Sequence, residues 1–160
     1  MKRLYLIRHA KSSKDIPGIK DRERPLSQEG KREAYYIGKR LKKAGITAQA
    51  VYSSPAKRAL DTARAIVKPI KFPLNKIKIK NILYRSNIPK MMKVVKSIND
   101  AAGSALIIGH NPEFLDFLNY LTPRATEKFP TCAVFGIDFD IDSWKRVSRK
   151  HGAIVSFDAP

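Results

Sequence analysis

This 160-residue chain is poor in cysteine (one), histidine (three) and acidic residues (fourteen). The lone Cys132 forbids an intrachain disulfide and points to a reducing compartment. No apolar run approaches the ~18 residues of a membrane span. The run Leu4–Ile7 stops at Arg8, too short for the core of a signal peptide. A soluble, cytoplasmic protein with no membrane contact is therefore expected. His9, His110 and His151 lie far apart, without the close spacing of metal ligands, so neither a metal nor a cofactor is expected. Apolar residues at 43% and charged residues at 29% are ordinary globular usage, and the length suits one domain spanning residues 1–160.

The scarcity of acid leaves a net charge of +18, unevenly spread: residues 1–80 carry +16 and residues 81–160 only +2. Such a field attracts phosphorylated substrates, acidic protein faces or nucleic acid. Nucleic acid is disfavoured, because no zinc-finger spacing, RNP-type aromatic motif or heptad-backed basic helix accompanies the charge. The bland account of the charge is a solvated basic surface.

Short apolar runs alternate with amphipathic stretches. Leu4–Ile7, Val51–Ser53 and Ala105–Ile108 read as strands, and Lys76–Lys80 as a weaker one. Ser27 is expected to cap a helix running to about Ala44 and stopped by Gly45. Ser54-Pro55 and Asn111-Pro112 each read as N-cap and first helical position. Met91, Val94, Val95, Ile98 and Ala102 mark a further helix. Phe135, Ile137, Phe139 and Ile141 alternate with Gly136, Asp138, Asp140 and Asp142, a strand with a wet face. Ile154–Phe157 is expected to pair with it as a hairpin. The pattern predicts an α/β three-layer sandwich: a mostly parallel central sheet, helices on both faces and an antiparallel C-terminal edge.

Open α/β sheets bind ligands at the carboxyl ends of their strands. Three strands here end in related chemistry: Arg8-His9, Ser53-Ser54 followed by Arg58, and His110-Asn111. If parallel, they bring two histidines and two arginines to one edge. Forked guanidiniums suit phosphate oxygens, and arginine charge keeps a neighbouring imidazole neutral and nucleophilic. His151, in a turn, reads as solvated, and Cys132 as a small core residue. A thiol phosphatase would need an arginine where Asp138 stands.

The segment Leu6-Ile7-Arg8-His9-Ala10-Lys11-Ser12 resembles the RHG signature of the histidine phosphatase (phosphoglycerate mutase-like) superfamily, in the form found in SixA-type phosphohistidine phosphatases. The resemblance continues through Arg24-Pro25-Leu26, Gly30, Ser53–Ala59, Thr62-Ala63, Gly109–Pro112 and Pro130–Cys132, in order and over nearly the whole chain. It implies a hydrolase in which His9 accepts the phosphoryl group while Arg8, Arg58 and His110 hold it. Ser12 and Asn111 would contribute to substrate binding. The implied substrate is a phosphohistidine on a protein, or a small phosphorylated molecule. A broad small-molecule phosphatase and a non-catalytic phosphate-binding module are the alternatives.

One departure concerns the acid. Many members of the superfamily place a general-acid Glu before the late histidine, yet no Asp or Glu occurs between Asp61 and Asp100, and Asn81–Arg85 occupies the region. An imidazole leaving group needs less acid assistance than an alkoxide, which fits a phosphoramidate substrate. Asp15, Asp21 and Glu113 are the candidates for any acid or base. Arg24 reads first as a loop ion-pair residue and second as part of the substrate mouth. The basic segment Lys11–Arg24 is expected to run over the mouth and, with the helix after it, to form a positive rim.

Overall fold

The computed structural model describes residues 1–14 and 16–160, so Asp15 lies outside the described residues. Six strands, β1 (Lys2–Arg8), β2 (Ala50–Ser53), β3 (Lys78–Ile79), β4 (Ser104–Gly109), β5 (Val134–Phe139) and β6 (Ala153–Asp158), form one sheet in the order β3-β2-β4-β1-β5-β6. The first four are parallel; β5 and β6 run antiparallel at one edge. This is the expected sandwich.

The central strands read as unbroken apolar runs because both of their faces are covered. Leu4 and Leu6 of β1, with Ala105 and Ile107 of β4, face one cluster containing Phe114, Phe117 and Trp144. Tyr5 and Ile7, with Leu106 and Ile108, face a second cluster containing Ile37, Ala59, Ala63 and Ile66. Helices α1 (Gln28–Lys43) and α2 (Lys57–Val67) cover this second face; α3 (Ile88–Lys96) and α4 (Glu113–Leu121) cover the first.

Helix α1 matches its sequence signals. The Ser27 hydroxyl accepts from the Gly30 N–H at 3.0 Å, and Gly45 follows the end of the helix with φ +71°. The other two helix starts are displaced. Ala56 caps α2 and Pro112 caps α4, neither through a side chain. Ser54 and Asn111 are instead drawn into other contacts, described below. Helix α3 starts earlier and ends earlier than its apolar stripe, capped by Asn87, whose side chain accepts from Lys90 N–H. It ends at Ser97, whose hydroxyl donates back to the Val94 carbonyl; Ile98 and Ala102 are buried beyond it. The weak strand shortens to two residues at the sheet edge.

The alternating aspartates prove less uniform than a wet strand face. Since β5 lies between β1 and β6, Asp138 is half-buried and ion-paired to Arg3, while Asp140 and Asp142 fall past the strand's end. Cys132 is fully buried, and burial pushes its thiol up to about 12, as befits a core residue. His151 is exposed beside Ser148.

Candidate active site

Parallel β1, β2 and β4 end together, and their carboxyl ends meet at a cleft of about 660 Å³. It is lined by Arg8, His9, Ser12, Arg58, His110 and Asn111, the six residues singled out from the sequence. Lys11, Lys14, Arg24 and Thr131 also face it.

His9 follows the last residue of β1. Its backbone N–H donates to the Gly109 carbonyl at 3.0 Å, tying it to the end of β4. Its Nδ1 lies 2.8 Å from the Ala10 carbonyl, which can only accept, so Nδ1 carries the proton and Nε2 keeps its lone pair. Burial lowers the imidazole to about 4, with Arg58, Arg8 and Arg24 acting in the same direction. A neutral imidazole with an open Nε2 is therefore the resting form at neutral pH.

The next residue is held just as firmly. The Ala10 N–H donates to the Thr62 hydroxyl oxygen at 3.0 Å, and that hydroxyl donates to the Arg58 carbonyl at 2.7 Å. Helix α1 presses on the same loop through Gly30, where a Cβ would stand 2.1 Å from the Lys11 carbonyl oxygen. Only glycine permits that approach.

The two arginines share a pattern. Arg8 donates from Nη1 to the Phe129 carbonyl at 2.9 Å, and Arg58 donates from Nη1 to the Asp21 carbonyl at 2.7 Å. In both, Nε is buried without a hydrogen-bond partner among the described residues. An unpaired buried donor costs roughly 1–3 kcal/mol, so two in one cleft mark a place prepared for an acceptor. Asn111 donates to the same Phe129 carbonyl at 2.9 Å, and its side-chain oxygen likewise has no partner among the described residues.

His110 Nε2 lies 2.7 Å from the Ser54 hydroxyl oxygen, and its Nδ1 is buried with no partner among the described residues. Burial lowers this imidazole to about 3, with His9 and Arg58 adding to the shift. Ser54 meets His110 and also accepts from the Ala56 N–H at 3.3 Å, while Asn111 engages Phe129 through its amide nitrogen, and neither caps its helix.

The candidate acids separate. Asp21 holds Arg58 and Arg24, which line the cleft, and its carboxyl is pushed down to about 2, first by the Tyr84 hydroxyl and then by Arg58 and Arg24. It is an ionised acceptor rather than a proton donor. Glu113 lies in the first turn of α4 and lines a separate cleft with Ser86, Asn87 and Asp116. Arg24 fills both roles read for it: it pairs with Asp21 at 3.2 Å, faces the cleft and donates to Ser12 Oγ at 2.5 Å.

Sequence reasoning did not assign Tyr84 or Thr62 to the site. The Tyr84 ring lies edge-on to His110 at 5.8 Å, and its hydroxyl donates to Asp21 at 2.7 Å. Its only signal was its place in the acid-free stretch; Thr62 had its place in the motif.

Taken together, a neutral imidazole, a second imidazole and two anchored guanidiniums can hold a tetrahedral oxyanion against a nitrogen nucleophile. Residues 4–81 match the sequence profile of the histidine phosphatase superfamily (branch 1). An uncharacterised protein of Mycobacterium leprae (strain TN) is 28% identical over 168 residues, spanning 96% of this chain and 99% of its own. An uncharacterised chloroplastic protein of Arabidopsis thaliana is 37% identical over 65 residues, covering 41% of this chain and 30% of its own length. Among solved structures, the protein histidine phosphatase SixA complexed with tungstate superposes with a TM-score of 0.85 at 20% identity, covering 99% of this chain and 97% of that one. A proposed phosphohistidine phosphatase SixA from Agrobacterium tumefaciens gives 0.82 at 22%, covering 99% and 98%. The mycobacterial glucosyl-3-phosphoglycerate phosphatase gives 0.72 at 10%, covering 99% of each chain. At these identities the structural likeness establishes the fold.

Proposed function

We propose that this chain, whose residues 4–81 match the profile of the histidine phosphatase superfamily and whose fold is that of the SixA structures, is a member of that superfamily and a phosphohistidine phosphatase. The observation that carries the reading is His9: its proton is fixed on Nδ1 by the Ala10 carbonyl, which leaves Nε2 unprotonated beside two arginines with unspent Nε donors. His9 Nε2 attacks phosphorus in line. The bond from phosphorus to His9 forms as the bond to the substrate imidazole breaks, and that imidazole leaves carrying a proton from solvent. Water then attacks the phosphoenzyme, releasing phosphate and restoring His9. Arg8, Arg58 and His110 hold the equatorial oxygens, with Ser12 and Asn111 at the margin of the substrate. The similar SixA protein was solved in complex with tungstate, an oxyanion, which supports an oxyanion ligand for this chain.

A second reading, a broad phosphomonoesterase, draws on the fold shared with the glucosyl-3-phosphoglycerate phosphatase. Against it stands the state of the two described candidate acids, an Asp21 already ionised and engaged and a Glu113 that faces another cleft; an alkoxide leaving group needs a positioned acid. The test compares a phosphohistidine peptide with p-nitrophenyl phosphate, each with and without chelator, alongside rapid-quench detection of an acid-labile phosphoenzyme. Faster turnover of the peptide, unaffected by chelator, and a phosphoenzyme lost in His9→Ala are expected. Wild-type turnover by His9→Ala would overturn the mechanism. Phosphate binding without turnover of either substrate would make the protein a binding module.

A further inference from the structure

The geometry points to Asp21 as a positioning residue that clamps Arg58 and Tyr84 at the cleft, an inference that deepens the phosphatase reading and rests on it. Asp21 occupies both terminal nitrogens of Arg58 at once: its carbonyl accepts from Nη1 at 2.7 Å and its carboxylate from Nη2 at 3.2 Å. The same carboxylate accepts from the Tyr84 hydroxyl at 2.7 Å and from Arg24 Nη2 at 3.2 Å. One residue thus gathers side chains from α2 (Arg58), from the residue after its own 3-10 turn Asp21–Glu23 (Arg24) and from the residue after the 3-10 turn Asn81–Leu83 (Tyr84).

The burial of the partners is unequal, and that decides who serves whom. The Arg58 side chain is only 7% exposed, whereas that of Asp21 is 47% exposed. A buried guanidinium without a counter-charge is costly, while a half-exposed carboxylate has water as an alternative. Asp21 therefore stabilises Arg58 in place rather than the reverse. The clamp also fixes the direction of the guanidinium: with both terminal nitrogens engaged by Asp21, the edge bearing Nε is left without a partner among the described residues. That turn is itself braced, Glu23 N–H donating to the Lys20 carbonyl at 2.9 Å and Arg22 reaching Asn81 at 3.4 Å. Tyr84, held by its hydroxyl, keeps its ring edge against His110. The carboxylate brings a cost as well, since a negative charge beside Arg58 opposes any anion entering the cleft.

Positioning and electrostatic repulsion predict opposite effects of Asp21→Asn on turnover and on anion binding. On a phosphohistidine peptide, kcat is expected to fall by about tenfold to a hundredfold, the scale of a misplaced binding group. The Kd for inorganic phosphate should stay level or tighten, because a repelling charge has gone. In 15N NMR of the full chain, the Arg58 Nη protons should be resolved by hindered rotation in wild type and averaged in Asp21→Asn. Tyr84→Phe should cost severalfold in kcat alone, and little more when added to Asp21→Asn, because both act through one contact. Unchanged kcat in Asp21→Asn, or unchanged Arg58 signals, would overturn the inference. So would parallel losses of kcat and phosphate affinity, the mark of a merely structural role. Absence of phosphohistidine turnover in wild type would instead overturn the phosphatase reading, leaving the Arg58 spectrum and phosphate affinity to decide the clamp.

Discussion

The imidazoles of His9 and His110 stand 5.2 Å apart between ring centroids, their planes inclined by 56°. They sit just past the ends of two hydrogen-bonded parallel strands, β1 and β4, so the sheet itself sets their separation. Burial first, and Arg58 beside both, keep each ring neutral, and His9 adds to the shift at His110.

That arrangement has a pH signature. Burial first, and the neighbouring cations after it, lower His9 to about 4 and His110 to about 3. In the unfolded chain both titrate near ~6.5. As pH falls below that value the unfolded state takes up protons that the native state refuses, so stability falls with pH down to about 4. NMR titration should place both midpoints well below ~6.5, and urea midpoints should drop between neutral pH and pH 4 to 5. His9→Asn should flatten that decline. Ring signals of His9 or His110 titrating at ordinary histidine values would contradict the account.

Much of this site was legible because β1 and β4 are buried on both faces, which makes their apolar runs conspicuous and their polar ends abrupt. Arg8-His9 and His110-Asn111 stand where those runs stop, and a parallel sheet brings such ends together. The helix starts misled for the complementary reason. Ser54 and Asn111 have good capping chemistry, but α2 and α4 begin later, after Ala56 and Pro112, and the two side chains reach His110 and the Phe129 carbonyl. The clamp at Arg58 leaves no periodic trace, since Asp21 and Arg58 are 37 residues apart and meet through a loop excursion. The acid-free stretch did carry a signal in Tyr84, which read as an absence of carboxylate rather than the presence of a hydroxyl.

Thr62 links the His9 loop to α2, and its removal should be felt in both. Its hydroxyl accepts from the Ala10 N–H, a group with no solvent access, and donates to the Arg58 carbonyl. Thr62→Val keeps the shape and strands the buried N–H, at a cost of about 1–3 kcal/mol. Urea unfolding should show that loss, and kcat should fall because Ala10 adjoins His9. Thr62→Ser, which keeps the hydroxyl, should restore most of both. Wild-type stability in Thr62→Val would mean that the Ala10 N–H finds another partner.

The basic half of the chain divides by distance from the cleft. Lys14 lines the cleft, and Lys20 and Arg22 sit on the same excursion. Lys11 and Arg40 are matched by Glu29 and Asp158, which removes them from any net rim. Helix α1 begins after Ser27, itself at the cleft, and its 16 residues extend about 24 Å at ~1.5 Å per residue. Lys42 and Lys43 at its far end thus lie well beyond a Debye length of ~8 Å at physiological salt, which takes the end of the helix out of the expected rim. If the loop steers a phosphorylated protein inward, Lys14→Glu with Lys20→Glu should lower kcat/KM for a phosphohistidine-bearing protein by about tenfold at low salt. Lys42→Glu with Lys43→Glu, an equal change in net charge, should have little effect. The protein substrate should also lose kcat/KM more steeply with added salt than a small phosphoramidate, and the loop variant should flatten that slope. Equal effects from the two charge reversals would assign the +16 of the first half to overall charge rather than to a rim. Equal salt slopes for the protein and the small substrate would remove the steering altogether.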